Sequence, residues 1–166
     1  MAEEKFALKN HFLKILRHMK WADLSVLDFL EEKKITSGRA VELLSHILIA
    51  EDTWYRRITN DFYDNQFWKV ISLEECKRMV EQTNSKFVQY ILGLHEDDFL
   101  KKISYKNSKG IDYTTSVEDI ITHIGLLGMY HRGQIMQLMR NLVNDVVATD
   151  YAMYIREHEY GEDELI

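Results

Sequence analysis

The 166-residue chain contains no proline and only one cysteine. Proline interrupts helices and marks loops, so its absence is typical of long helices joined by short connections. A lone cysteine, Cys76, excludes an internal disulfide. No stretch approaches the roughly 18 consecutive apolar residues of a membrane span, and the first residues lack the apolar segment of a signal peptide. These absences predict a cytoplasmic protein without membrane contact.

Basic residues are also scarce relative to acidic ones. The chain has 21 Lys and Arg against 27 Asp and Glu, which gives a formal net charge of −6. Binding to nucleic acid requires a basic face that matches the phosphates, so the composition argues against a nucleic-acid partner. The 46% apolar and 29% charged residues form a globular balance, and we expect one domain over residues 1–166.

Apolar residues recur at helical spacing in four long stretches. Between the third and fourth stretches, residues 96–113 are expected to form a loop or a small extended pair with its turn at KNSKG. The tail is expected to begin with a short helix capped by Thr149 or Asp150. The fold class is therefore all-α, a four-helix bundle with a short C-terminal helix. The four long helices are predicted at 5–32, 40–60, 73–94 and 119–142.

Capping residues precede the predicted helices. Thr36 or Ser37 is the expected N-cap of the second helix, and Ser72 with Glu75 has the capping-box pattern for the third. The hydroxyl residues 114–116 are expected to cap the fourth helix, whose first turn carries acids that the helix dipole favours.

A histidine interrupts the apolar stripe of the fourth predicted helix. At 100° per residue, Ile124, Leu127, Ile135 and Leu138 all fall within about 40° of His131. The spacing therefore predicts that His131 lies in the middle of the core-facing stripe. A buried imidazole without a partner costs roughly 1–3 kcal/mol, so we expect His131 to contact a hydroxyl, a carboxylate, a backbone carbonyl or a metal ion.

Two further histidines are candidate partners in a metal site. His46 lies at the edge of the second helix's apolar face, with the small residues Ala50 and Thr53 one and two turns later, which suits a pocket. His123 precedes His131 by two turns, about 12 Å along the helix axis, so these two are not expected to bind one ion directly. Residue patterns alone favour hydrogen-bonded histidines over a complete three-histidine site.

The polar and small residues around His131 have structural interpretations. Arg132 and Gln134 are expected to support a neighbouring loop or the mouth of a pocket. The glycines of this helix lie within it and not ahead of it, which excludes a phosphate-binding loop. We expect them to permit the close approach of another helix or a ligand. They are Gly125, Gly128 and Gly133.

Four segments resemble the signature of one family. HRGQI at 131–135, preceded by a histidine at 123, is similar to the fourth-helix motif of the DinB-like (DinB/YfiT) superfamily. Three more segments resemble that superfamily in the same order, so the resemblance covers essentially the whole chain. They read HMKWADLSVLDFL at 18–30, LLSHILIAEDTWYRRI at 43–58 and ATDYAMYIRE at 148–157.

The resemblance implies a four-helix bundle, a homodimer and a divalent-metal site. The metal, zinc or nickel, would be held by His46 and His131, with His123 as the third candidate ligand. The family's fourth helix commonly reads H-x3-H-x3-HRGQ, and Leu127 stands where the middle histidine is usual. The implied site is therefore incomplete. Water, a carboxylate or substrate would complete it, or the metal has been lost.

The resemblance also implies an activity. Some members are thiol S-transferases that use bacillithiol, mycothiol or glutathione, and others are hydrolase-like. The metal would lower the pKa of a bound thiol or water and so generate a nucleophile. The expected substrate is a small molecule or a low-molecular-weight thiol. The alternative is a non-catalytic dimeric binding or stress-response bundle, which Leu127 favours, whereas retention of both His46 and His131 favours the enzyme.

Overall fold

The computed structural model describes residues 7–64 and 66–158. This part of the chain contains five α-helices, a short 3₁₀ helix at Glu96–Leu100 and a two-stranded sheet, β1 (Lys102–Lys106) and β2 (Asp112–Ser116). The predicted all-α class is therefore confirmed. The helices are α1 (Ala7–Glu32), α2 (Arg39–Thr59), α3 (Leu73–Gly93), α4 (Val117–Arg140) and α5 (Tyr151–His158).

The four long helices form the predicted bundle. Helices α1 and α2 each pack against both α3 and α4. The predicted helix ends agree with the observed ones to within about two residues, the usual margin of helix assignment. The predicted start of α1 at residue 5 lies outside the described residues. Among the described helices, none combines the length and the apolar character needed to cross a bilayer.

Three predicted helix caps are confirmed. Ser72, Ser116 and Asp150 precede α3, α4 and α5, and each side-chain oxygen accepts a hydrogen bond from the backbone N–H three residues later, at 3.2, 3.2 and 3.1 Å. The capping box is only half formed, because the Glu75 carboxylate accepts a bond from Arg78 Nε at 2.9 Å.

The N-cap of α2 differs from the prediction. Gly38 occupies that position with φ +88° and ψ −172°, and no side chain caps the helix there. The expectation of Thr36 or Ser37 is wrong, because the chain turns into α2 through a positive-φ conformation that favours glycine.

The segment between α3 and α4 contains the small extended pair. Strands β1 and β2 are antiparallel, and the Asn107 side-chain oxygen accepts from the backbone N–H groups of Lys109 and Ile111 at 2.9 and 3.0 Å. Strand β2 leads directly into α4, while β1 packs on α2. The hairpin therefore closes one end of the groove between these two helices.

The core consists of two apolar clusters with a polar layer between them. On α1, α2 and α4, the residue that separates the two clusters is charged or ionisable. These residues are Asp23, Glu51 and Arg132, whose exposed fractions are 1%, 5% and 1%.

The buried side of α4 is centred on Arg132 and not on His131. Arg132 is buried together with Gly125 and Gly128, whereas His131 and Leu127 are only half-buried. The prediction that His131 occupies the middle of the core-facing stripe is therefore wrong. Two glycines and an arginine carry no apolar signal, so the hydrophobic pattern could not indicate the face on which they lie.

Candidate functional site

Two of the three predicted site histidines lie together. The rings of His46 on α2 and His131 on α4 have centroids 4.8 Å apart and planes at 87°. His46 is 8% exposed, and His131 is half-buried at the surface of the bundle. The packing of α2 along α4 produces this contact, which residue periodicity could not establish.

A backbone carbonyl orients His46. The Nδ1–H group donates to the carbonyl oxygen of Phe67 at 2.8 Å, which leaves the Nε2 lone pair available. Burial lowers the pKa of His46, the bond to Phe67 opposes this, and the charge of a protonated His131 and that of Arg39 lower it further. His46 is therefore neutral at pH 7, the form in which imidazole binds a metal ion.

Gln134 orients His131 in a similar way. Nδ1 of His131 lies 2.8 Å from Oε1 of Gln134, one turn later on α4, so the ring donates from Nδ1, and the neutral ring has its lone pair on Nε2. Metal-binding histidines usually donate their second ring N–H to an oxygen that fixes the ring orientation. Gln134 thus forms its hydrogen bond with His131, and not with a neighbouring loop.

An aromatic side chain covers His46. The Trp68 ring stacks on His46 with centroids 4.0 Å apart and planes at 3°, and the Arg39 guanidinium lies 4.9 Å from the Trp68 ring. Trp68 is 52% exposed, so it shields His46 on one side while facing solvent on the other. This contact could not be predicted from residue patterns, because Trp68 lies in an irregular connection without periodicity.

The third predicted ligand lies apart from the pair. The His123 ring packs against Trp54 at 5.3 Å, and no ring contact joins it to His46 or His131 among the described residues. Partial burial and the positive charge of Arg57 lower the pKa of His123. Its separation from His131 follows the two-turn spacing along α4.

The residues present fit a metal ion only in part. His46 and His131 offer two oriented Nε2 donors, and Leu127 occupies the turn of α4 between His123 and His131. The described residues contain no group of three or more His, Cys, Asp or Glu that could hold a metal ion. Within the described part of the chain, water or substrate would have to supply any further ligands.

A cavity of about 370 Å³, a size within the usual range for small ligands, adjoins His46 but is not lined by His131. Side chains of α2, α4 and the hairpin form its wall. His46 lies at this wall with His123 and Leu127 of α4, and Arg57 and Tyr105 are part of it.

A buried ion pair lies on the other side of α4. Arg132 Nη1 donates to Asp23 Oδ1 at 2.7 Å, and both side chains are almost completely buried. Gly128 makes room for the guanidinium, since a Cβ at this position would stand 2.7 Å from Arg132 Nη1. Arg132 therefore has a structural role, as expected, but it stabilises the core through an ion pair and does not support a loop or a pocket mouth.

Glu51 completes this buried polar cluster. Burial and the adjacent Asp23 raise the pKa of Glu51 well above its ordinary value, and Arg132 opposes the rise. Because the two buried carboxyls disfavour each other's charge, one of them carries a proton. Because Asp23 contacts Arg132 directly, the proton belongs on Glu51. The pattern of carboxylates in the sequence did not reveal this cluster.

Comparison with known proteins identifies the family. The model of the DinB family matches residues 8–164. Protein DinB of Bacillus subtilis (strain 168) is 23% identical over 170 residues, which cover 89% of this chain and 95% of that protein. The family model thus extends over nearly all of the sequence, including both histidine-bearing helices. The chain belongs to the DinB family.

Proposed function

We propose that this protein is a divalent-metal-dependent enzyme of the thiol S-transferase or hydrolase type. His46 and His131 would hold the ion, zinc or nickel. The observation that supports this best is the pair of adjacent imidazoles, each fixed through Nδ1 with Nε2 left available. The adjoining cavity supplies room for a small molecule or a low-molecular-weight thiol.

When bound, the metal would lower the pKa of a thiol or water at the open positions. The chain's own residues supply the environment for that chemistry. Phe67 and Gln134 orient the two rings, and Trp68 excludes water from one side of His46. Without a third protein ligand in the described region, more positions remain open to water and substrate than in a three-histidine site.

Calorimetric titration with zinc and with nickel tests this proposal. The protein is purified without an affinity tag and stripped with a chelator. We expect one ion per chain, and we expect His46→Ala or His131→Ala to weaken binding about tenfold or more. His123→Ala is the matched control, because it removes an imidazole from α4 without touching the pair. Absence of stoichiometric binding, or an equal effect of all three variants, would contradict the proposal.

The alternative function is a non-catalytic binding or stress-response bundle. Leu127, at the turn between His123 and His131, favours it, as does the lack of a three-ligand group among the described residues. The same titration separates the two functions, because the alternative predicts neither metal binding nor a rise in melting temperature with zinc or nickel.

The homodimer remains a prediction. Three apolar side chains on one face of α4 are solvent-exposed and are available to a second copy. They are Leu126, Met129 and Tyr130, with exposed fractions of 61%, 43% and 66%. Sedimentation at micromolar concentration is the direct measurement, and a monomer there would contradict the expectation.

A further inference from the structure

A second cavity, of about 230 Å³, lies between α1, α4 and the start of α5. It is separate from the cavity beside His46, because the two have no lining residue in common among the described ones. An apolar cavity of about 150 Å³ is already large enough to bind benzene. The second cavity therefore has room for a molecule with one aromatic ring.

The wall of this second cavity is neutral and mostly apolar. Among the described residues that line it, none is Asp, Glu, Lys or Arg, and the polar groups are two imidazoles and two hydroxyls. The polar residues are His11, His18, Thr122 and Tyr151, and the others are Phe12, Ile15, Gly125, Leu126 and Met129. Such a wall suits a neutral ligand with an apolar body and few polar atoms.

His18 is the buried polar residue of this wall. It is 2% exposed, and the ring centroids of Tyr151 and Tyr154 lie 5.3 and 5.6 Å from that of His18. Its Nε2 lies 2.9 Å from the carbonyl oxygen of Thr149. Because a carbonyl oxygen only accepts hydrogen bonds, Nε2 carries the proton and Nδ1 carries the lone pair.

Nδ1 of His18 is an acceptor to which no described residue donates a hydrogen bond. Burial lowers the pKa of His18, and the bond to Thr149 opposes this only in part. The ring is therefore neutral at pH 7.5, and Nδ1 keeps its lone pair. A buried acceptor is stabilised by a donor, which a hydroxyl group in the cavity would supply.

We propose that this cavity binds a small neutral phenol, whose hydroxyl donates to Nδ1 of His18 and whose ring contacts the apolar wall. The rings of Phe12 and Tyr151 and the thioether of Met129 line the same space, and such groups pair favourably with an aromatic ring. The site is independent of the proposed metal ion, because it lies between α1 and α4 and not between α2 and α4.

Phenol and fluorobenzene are suitable probes, because both are neutral and of similar size, and only phenol donates a hydrogen bond. Each is titrated into the full chain at pH 7.5 with EDTA present, and binding is followed by NMR. We expect phenol to bind at least as tightly as fluorobenzene. In a cavity without an acceptor, the buried hydroxyl would make phenol bind about tenfold more weakly. Weaker binding of phenol than of fluorobenzene, or binding of neither, would overturn the inference.

Imidazole nitrogen resonances locate the hydroxyl in the unmodified protein, so this measurement does not depend on the folding of a variant. We expect the Nδ1 signal of His18 to move much further with phenol than with fluorobenzene, because only phenol donates to it. The signals of His46 and His131 should stay unchanged. A response to phenol at these two histidines, without one at His18, would overturn the inference.

The two histidines of the cavity provide a pair of variants. His18→Leu removes the buried acceptor, whereas His11→Leu removes the imidazole that is exposed at the rim. We expect only His18→Leu to weaken phenol binding, by about tenfold, while fluorobenzene binding is retained. An equal effect of both variants on phenol, or no effect of His18→Leu, would overturn the inference.

Leu126 and Met129 line this cavity and also belong to the face that is available to a second copy. The phenol titration is therefore repeated at two protein concentrations, with sedimentation at each. A cavity within one chain predicts the same affinity at both. An affinity that falls on dilution, together with dissociation of a dimer, would place phenol between two copies and overturn the inference.

Discussion

His131 and Arg132 are neighbours in the sequence, yet they belong to two different polar groups. Arg132 faces inward to Asp23, where both side chains are almost completely buried. His131 lies at the groove between α2 and α4, half-buried and next to His46. One step of about 100° around α4 separates a structural ion pair from a candidate metal ligand.

The comparison shows how burial separates the two roles. The Arg132 cluster is enclosed between two apolar clusters, so its charges must be satisfied within the protein. The histidine pair uses Nδ1 of each ring for a hydrogen bond within the protein, which leaves Nε2 for a ligand, and His46 borders a cavity. The first arrangement fixes the packing of three helices, whereas the second leaves donors for a ligand.

The largest difference is expected in stability. Arg132→Met leaves the buried Asp23 carboxylate without its cation, and we expect a loss of about 3–5 kcal/mol in the free energy of unfolding. His131→Ala, at the neighbouring position, should cost about 1 kcal/mol or less, because the ring is half-buried and loses one hydrogen bond. Urea denaturation measures both. Equal losses would remove the distinction between the two groups.

Gly128→Ala tests the packing of the guanidinium. The added Cβ would stand 2.7 Å from Arg132 Nη1, so the side chain must shift, and we expect a loss of about 1–3 kcal/mol. Gly133→Ala is the control, because a Cβ there meets no atom within 4 Å. Its higher helix propensity should stabilise the protein by up to about 1 kcal/mol. If thermal denaturation shows both variants to be stabilised, Gly128 does not accommodate Arg132.

Leu127→His tests the histidine side of the comparison. It places an imidazole one turn from both His123 and His131, and we expect zinc affinity to rise about tenfold or more by calorimetry. Leu126→His is the control, since Leu126 is 61% exposed and lines a different cavity. No gain at position 127, or an equal gain at 126, would mean that these positions do not converge on one ion.

Glu51→Gln tests the buried proton. The folded-state pKa of Glu51 lies well above its ordinary value of 4.5, so folding takes up a proton. The resulting stability is complete below the unfolded-state pKa and is lost as pH rises through the folded-state pKa. Glutamine avoids this loss, so the stability of the variant relative to wild type should increase with pH, by a smaller amount than the effects above. Melting curves at several pH values that run parallel would refute a protonated Glu51.

Much of the fold could be predicted from the chain. The helix ends and three caps follow from local rules, because helical periodicity and the N-cap bond involve residues only a few positions apart. The N-cap of α2 was predicted wrongly, because Thr36 and Ser37 are stronger N-cap candidates by residue type than Gly38. The turn of the hairpin was found for the local reason that Asn and Gly adopt it readily.

The site could be predicted only in part. Helical periodicity drew attention to His131, and the resemblance supplied His46 as its partner. The residues that orient and cover His46, Phe67 and Trp68, come from the connection after α2 and have no periodic signal. The resemblance also named His123 as a ligand, because it is a histidine on the same helix. Its position two turns before His131 on α4 places it against Trp54 and away from the pair.

The sequence by itself determined the helices, most of their caps and the class of fold, because these depend on interactions along the chain. Only the tertiary structure decided that Arg132 and not His131 faces the core, that Glu51 meets Asp23, and that Arg57 borders a cavity. Such relations depend on how three helices rotate and pack, and residues far apart in sequence create the burial and charge that each side chain experiences.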